Sequence, residues 1–305
     1  MKPVSIVFII ISVVLIILGA ITCSVGVVQA KAQNVQLFDT KNENDEIVNT
    51  FDFSSEDIGK IEINAGDADV KIVCGAESNK IEVKNYSSTN YVCQVENKAL
   101  VMESGFNILS LTDLAQGEVR FKGFRYYLSD LLHGKNIGPK SVTVYVSDTK
   151  DIKVFDISVG NGNVEISKSN YDSDFTVNVK NGDVTLSEIV TNSSVNVNVK
   201  EEGNVTLNGV VSNILSVKTE DGNVKADASA NEVTVSAGKD AELSCGYDLE
   251  AYNFELEAPK GKITLAGANI PTPYKAYNPN FQKRMEVNAL NGNISISQSE
   301  IITAE

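Results

Sequence analysis

Between Phe155 and Ala226 one phrase is written four times: an alternating apolar strand, a turn at Gly162, Gly182, Gly203 or Gly222, and a second alternating strand. The glycines are 20, 21 and 19 residues apart. In Phe155-Asp-Ile-Ser-Val the apolar residues fall on every second position, the period of a strand buried on one side, and Asn-Val-Glu-Ile after Gly162 repeats the pattern. A β pattern returning every ~20 residues specifies a solenoid, because one coil cannot bury its apolar column alone and must stack on a neighbour. The expected fold is therefore all-β, a single-stranded β-helix with each coil laid on the one before it.

The phrase continues in weaker form. Val233 and Val235 precede Gly238, Phe254 and Leu256 precede Gly261, and Val287 and Ala289 precede Gly292, always five and three positions ahead. Two and four positions after the glycine stand Val164 and Ile166, Val184 and Leu186, Val205 and Leu207, Val224 and Ala226, Ile263 and Leu265, Ile294 and Ile296, with Gly238 the copy that slips. Ile61 and Ile63 before Gly66 read as an early copy whose second strand is displaced by two, as expected of a terminal coil with one unstacked face. Gly162, Gly182, Gly203, Gly222, Gly261 and Gly292 are thus expected at tight corners, where Gly and Asn tolerate positive φ. Acidic and amide oxygens at such corners also suit calcium, but the side chain there is mostly Asn and turn chemistry accounts for it, so no metal is expected.

Val4 to Val28 carries no charge and is rich in Ile, Val and Leu, long enough for the ~20 residues that cross a bilayer as a helix. Residues 1–3 then form a short cytoplasmic end, 4–28 a transmembrane signal anchor, 29–50 a polar tether, and 51–305 a domain outside the cytoplasm, the orientation that Lys2 favours. A cleaved signal peptide competes, since Ala30-Lys31-Ala32 resembles a cleavage site, but this apolar run exceeds the usual ~7–15-residue core. Two stretches interrupt the solenoid. Residues 105–140 are spaced as one or two short helices, and residues 270–284, with Pro271, Pro273 and Pro279, read as a loop thrown out of the stack, since proline cannot donate to a ladder.

Net charge of -14 excludes nucleic acid as a partner, because such binding needs Lys and Arg to displace phosphate counterions. There is one histidine, His133, and arginine occurs only at positions 120, 125 and 284, so the usual acid-base and anion-gripping groups are scarce. No nucleophile elbow, zinc-binding helix or phosphate loop is present, and no catalytic residue or cofactor is expected. Cys74 and Cys245 share strand parity with inward positions and are expected as buried thiols, although Cys74 and Cys93 remain candidates for a bridge between adjacent coils. Binding, if any, is expected where aromatics and cations interrupt the coils: Arg120, Lys122, Arg125 and Tyr127 in the first interruption, Tyr274, Tyr277 and Arg284 in the second, with the two forming one contact surface. Aromatics that merely cap the fold are the plainer reading of either stretch.

One membrane segment followed by coils reading Asn-Gly-Asn-Val-Glu-Ile, Asn-Gly-Asp-Val-Thr-Leu and Asp-Gly-Asn-Val-Lys-Ala resembles the bacterial putative-adhesin family, domains of unknown function common in Gram-positive bacteria. The likeness covers roughly Phe51 to Ser299 and implies a right-handed β-helix without agreed catalytic residues; some relatives look like membrane-anchored parts of envelope-stress operons. The expected function is a non-enzymatic envelope protein, single-pass in the cell membrane, presenting its solenoid to an envelope protein or polysaccharide. The alternative is a carbohydrate-active β-helix enzyme acting on an envelope polysaccharide, with paired carboxylates gathered in one groove.

Overall fold

The structure, a computed structural model, describes residues 48–86, 91–104, 138–147, 151–170 and 172–299. The stretch expected to be an anchor, most of the tether, the insert expected to be partly helical save residues 138–140, and Arg120, Lys122, Arg125, Tyr127 and His133 lie outside the described residues. Among those described, no helix is long and apolar enough to cross a membrane.

The described residues build a 21-stranded sheet folded into two faces. Its strands are β1 (Val48–Asp52), β2 (Lys60–Gly66), β3 (Asp69–Cys74), β4 (Lys80–Lys84), β5 (Tyr91–Glu96), β6 (Ala99–Ser104) and β7 (Ser141–Val146). The repeats follow as β8 (Val154–Asn161), β9 (Val164–Asn170), β10 (Asp174–Asn181), β11 (Val184–Val190), β12 (Ser194–Glu202), β13 (Val205–Asp221), β14 (Val224–Ala237) and β15 (Ala241–Cys245). After a 3-10 turn at Leu249–Ala251 come β16 (Tyr252–Glu257), β17 (Ile263–Leu265), β18 (Ala268–Ile270), β19 (Tyr274–Ala276), β20 (Lys283–Ala289) and β21 (Ile294–Gln298). β1 opens at Val48, inside the stretch read as a tether.

Each coil sends one strand to the first face, turns at its corner, and sends the next to the second face; β13 and β14 are long enough to serve both. On the first face, β6, β2, β8, β10, β12, the second half of β13, the second half of β14, β20 and β16 pair in parallel in that order. The second face runs β7, β3, β9, β11, β13, β14, β15, β21 and β17. Spatial order therefore departs from chain order at both ends. The β6–β7 coil lies outside the β2–β3 coil, and the last coil in sequence, β20–β21, is slotted between β14–β15 and β16–β17. The expectation that each coil stacks on its predecessor holds only in the middle, and the coil around Gly66 is not terminal in space.

Inward positions form continuous columns. Ile61, Phe155, Phe175, Val195, Leu215, Val233, Met285 and Phe254 are in register on the first face, with the Phe155 and Phe175 rings stacked at 4.7 Å. Val70, Val164, Val184, Val205, Val224, Ala241, Ile294 and Ile263 answer them on the second. All are buried. The intervening residues, among them Glu165 and Lys225, point to solvent as the alternation requires.

Antiparallel strands cover the edges that stacking leaves open. β5 returns on β6 through a two-residue turn in which Asn97 and Lys98 both have positive φ, and β18 returns on β17 through Ala266 and Gly267 in the same way. β4 covers β7 and is itself covered by β1; β19 covers β16. Unpaired edges invite association with other chains, and these strands blunt them. The second interruption is thus not thrown out of the solenoid: Tyr274–Ala276 is a cap strand, and Tyr274 packs against the core. Beneath each capped end a buried tyrosine closes the core. Tyr86 donates its hydroxyl to the Ala65 carbonyl at 2.5 Å and Tyr252 donates to that of Ala230 at 2.5 Å, and burial raises both phenols above their usual range.

Candidate functional site

The corners explain why the repeat is written with glycine. A Cβ on Gly182, Gly203, Gly222 or Gly261 would fall 1.8–2.0 Å from the carbonyl oxygen of the coil beside it, and on Gly162 2.2 Å from that of Ala68. Positive φ is the smaller part of the reason: Gly182 sits at +137°, but Gly222, Gly261 and Gly292 lie outside the left-handed region and are held to glycine by the neighbouring backbone alone. In the coil of Gly66 the corner position belongs to Ala68: Ile61 stands seven before it and Val70 two after, as Phe155 and Val164 stand about Gly162, so the coil has the ordinary length and Gly66, at φ +61°, marks a bulge in β2 and not the corner.

The corner Asn and Asp residues do not adopt positive φ either. They form a ladder along the stack. The Asp69 carboxylate accepts from the Asn163 N–H at 2.8 Å, Asn163 Oδ1 from Asp183, Asp183 from Asn204 at 2.7 Å, and Asn204 Oδ1 from Asn223 at 3.0 Å. The series continues through Asp240 and Asn293 to the Lys262 N–H. Each corner amide left unpaired by the turn finds a side-chain acceptor one coil away. Among the described residues no cluster of ligating side chains is arranged for a metal ion.

Of the sequence-predicted binding residues, the structure describes those of the second interruption. Tyr277 is 82% exposed, whereas Tyr274 is half-buried under the cap. Arg284 lies 2.7 Å from Glu286 and 3.7 Å from Glu255, and Lys275 lies 2.5 Å from Glu255. The Lys275 ammonium, by hydrogen bond and charge, holds the Glu255 carboxyl below its usual range, with Arg284 adding to the effect. Lys283, which sequence reasoning left unassigned, stands 3.5 Å above the Tyr247 ring and donates to Asn231 at 2.7 Å; desolvation lowers its pKa. The two interruptions are rooted at opposite ends of the stack. Ser104 and Gly138 flank the first at the β6–β7 coil, and the second joins β19 to β20 at the far end, eight coil steps or roughly 38 Å away.

Among the described residues, surface carboxylates do not converge in one groove. On the first face they are spread along the stack, Glu62 and Asp156 near one end, Asp174, Glu220 and Glu232 between, and Glu255 and Glu286 near the other, with Lys60 paired to Glu62, Lys275 to Glu255 and Arg284 to Glu286. On the second face Lys71 bridges coils to Glu165 at 2.7 Å and Lys225 faces Glu242 at 3.8 Å. A shallow depression of about 400 Å³ follows the ladder, lined by Asp183, Asn204, Asn223, Thr185, Thr206 and Lys225. Cys74, Cys93 and Cys245 are free. Cys74 and Cys93 sit on opposite faces, on β3 and β5, so the bridge entertained from the sequence is not made; Cys74 and Cys245 are buried as expected, and Cys93 is half-buried.

Stacked two-strand coils, glycine corners and an Asx ladder define a β-solenoid repeat protein. The chain belongs to the Toastrack DUF4097 family, whose profile matches residues 58–265. Among solved structures it is similar to a putative cell adhesion protein from Clostridium sporogenes, at 17% identity over 84% of this chain and 99% of that one, with a TM-score of 0.35. It is also similar to a putative adhesin from Parabacteroides distasonis, at 11% identity over 83% and 97% of the two chains, with a TM-score of 0.30. A putative adhesin from Parabacteroides merdae is 9% identical over 83% and 96%, with a TM-score of 0.28. No curated protein matches the chain.

Proposed function

We propose that the chain is a non-enzymatic envelope protein, anchored in the cell membrane by residues 4–28, that presents its solenoid outside the cytoplasm for adhesion or protein-protein contact, in the envelope-stress setting that the family resemblance implies. The observation that carries this reading is the uninterrupted ladder from Asp69 to Lys262, which ties coil to coil and turns a repeat into a stiff, regular display surface. In one of the pairs of carboxylates that face each other on neighbouring coils, Glu255 and Glu286, cations bind both, and Glu255 is pushed toward the ionised form. A glycosidase acid needs the opposite shift.

The test uses the full-length protein. Proteinase added to intact cells with an accessible outer surface degrades the chain beyond Gln29 while a cytoplasmic control survives, and the detergent-solubilised protein retains components of whole envelope fractions. Protection from proteinase in such cells rejects the orientation. New reducing ends released from envelope polysaccharide by the purified protein would replace this reading with the enzymatic one.

A further inference from the structure

Two groups of asparagines in this solenoid differ in what the side chain does. At the corners Asn163, Asn204, Asn223 and Asn293 are all engaged in the ladder. On the solvent side of the first face, Thr176 and Asn178 on β10 are in register with Asn196 and Asn198 on β12, then with Ser216 on β13 and Thr234 on β14. Asn196 donates to Ser194 at 3.1 Å. Among the described residues, the side chains of Thr176, Asn178, Asn198, Ser216 and Thr234 have no partner. Their hydroxyls and amides, each both donor and acceptor, face outward.

The array is a strip of two outward rows, Thr176, Asn196, Ser216 and Thr234 and then Asn178, Asn198, Lys218 and Ser236, in which the one charged position is Lys218. Asp174 and Glu232 flank it on one side and Lys180, Lys200 and Glu220 on the other, while the same coils of the second face carry Lys225, Asp227 and Glu242. Spacing is fixed by the fold at about 4.8 Å between coils and about 6.8 Å between successive outward residues on a strand.

We propose that this array is the contact surface and that it takes an uncharged polysaccharide laid across β10, β12, β13 and β14, an assignment that rests on the adhesive reading above. Apart from Lys218, the two rows of the array offer a charged polymer no partner for the charges it would desolvate. A neutral glycan repeats hydroxyls that exchange hydrogen bonds with water for hydrogen bonds with amides and hydroxyls at no such cost. The array holds no aromatic ring to stack on a sugar, so no single residue anchors the ligand and affinity is spread over successive coils. Binding must then grow with polymer length, as in any multivalent contact, and must be indifferent to salt.

The experiment measures binding of the full-length protein in detergent to β-1,4-linked oligomers of glucose and of N-acetylglucosamine of increasing length, with a uronic-acid polymer as the charged comparison. Affinity is expected to rise at least about tenfold from the shortest to the longest oligomer of the preferred sugar, and to be the same at low and high salt. The Asn178→Ala/Asn198→Ala variant is expected to lose about tenfold or more, while Thr185→Ala/Thr206→Ala on the second face binds as wild type; circular dichroism checks that both fold. Oligomers that bind both variants alike, or that do not bind at any length, overturn the assignment. Retention of an envelope protein without glycan binding overturns it but leaves the adhesive reading standing, and failure to retain any envelope component removes both.

Discussion

Gly222→Ala isolates the cost of coil stacking. A Cβ there would lie 1.8 Å from the Gly203 carbonyl oxygen, against a floor of 3.0 Å for real Cβ contacts, so the two coils must part locally by about 1.2 Å. The hydrogen bonds that span this step include Val205 N–H to Asn223 at 2.9 Å, Asn223 N–H to Asn204 Oδ1 at 3.0 Å, Gly203 N–H to Asp221 at 3.4 Å and the Thr219 hydroxyl to the Gly203 carbonyl at 2.8 Å. At ~0.5–1.5 kcal/mol each, weakening them costs about 2–4 kcal/mol. Gly75→Ala is the converse case: φ is +76° and nothing lies within 4 Å, so only the left-handed penalty of ~1–2 kcal/mol applies. Gly182→Ala combines both, with φ at +137° and a Cβ 2.0 Å from the Gly162 carbonyl oxygen. Thermal unfolding followed by circular dichroism should rank the variants Gly182→Ala, Gly222→Ala, Gly75→Ala from most to least destabilised. For a domain of this size the middle variant should melt about 4–16 °C lower than wild type. A Gly222→Ala protein no less stable than Gly75→Ala would refute the close-approach account of the corner glycines.

Asn204→Ala removes the acceptor for the Asn223 N–H and the donor to Asp183 at 3.1 Å, and should cost ~1–2 kcal/mol, whereas Asn178→Ala should be close to neutral; equal denaturant midpoints for the two would deny the ladder a role in stability. Burial pushes the Cys74 and Cys93 thiols from 9.0 up to about 12. The unfolded chain therefore releases these protons first, so their contribution to stability is intact below about pH 9 and is lost as pH rises toward 12. Denaturant midpoints should fall above about pH 9, and the Cys74→Ala/Cys93→Ala variant should fall less steeply; parallel curves would show that these thiols do not contribute.

What was legible in the sequence is what repeats. The alternation around Gly162, Gly182, Gly203 and Gly222 reports a local constraint present in every coil, and the inward columns follow from it directly. Features made by contacts distant in sequence left weaker marks. Lys168, Glu188 and Gly209 occupy equivalent bulges on the second face at φ +63°, +56° and +66°, yet only one of the three is glycine, so no pattern announced them. The Asn and Asp residues of the ladder were visible, but their role depends on the neighbouring coil, and turn chemistry alone suggested a different one. Tyr274 reads as a binding residue because aromatics and cations interrupt the repeat there; that the same stretch builds strand β19 and covers the edge of β16 depends on a pairing the sequence does not announce. The engaged state of Arg284 likewise depends on Glu255, a residue of another coil.

The order of the final coils is the feature furthest from sequence, and a chain ending at Gln282 tests it. In a solenoid stacked in chain order, removing the last coil would cost one interface and expose a fresh end. Here β20–β21 has a neighbour on each side, so its loss leaves β14–β15 and β16–β17 facing an empty slot one coil thick. Met285, Val287, Ile294 and Ile296 are each no more than 1% exposed, and at ~1.5–3 kcal/mol apiece their removal forfeits about 6–12 kcal/mol of burial, comparable with the entire stability of a typical domain. The anchoring residue Lys262 also loses its ladder acceptor, Asn293. The outer coil, with its caps β18 and β19, would then be tied to the stack through the 3-10 turn at Leu249–Ala251 and the Tyr252 hydroxyl on the Ala230 carbonyl, with no strand pairing between them. The truncated chain should therefore aggregate or lose its cooperative melt. A soluble product melting cooperatively within a few degrees of the full-length protein would mean that β16–β17 packs directly on β14–β15, and the slotted order would have to be abandoned.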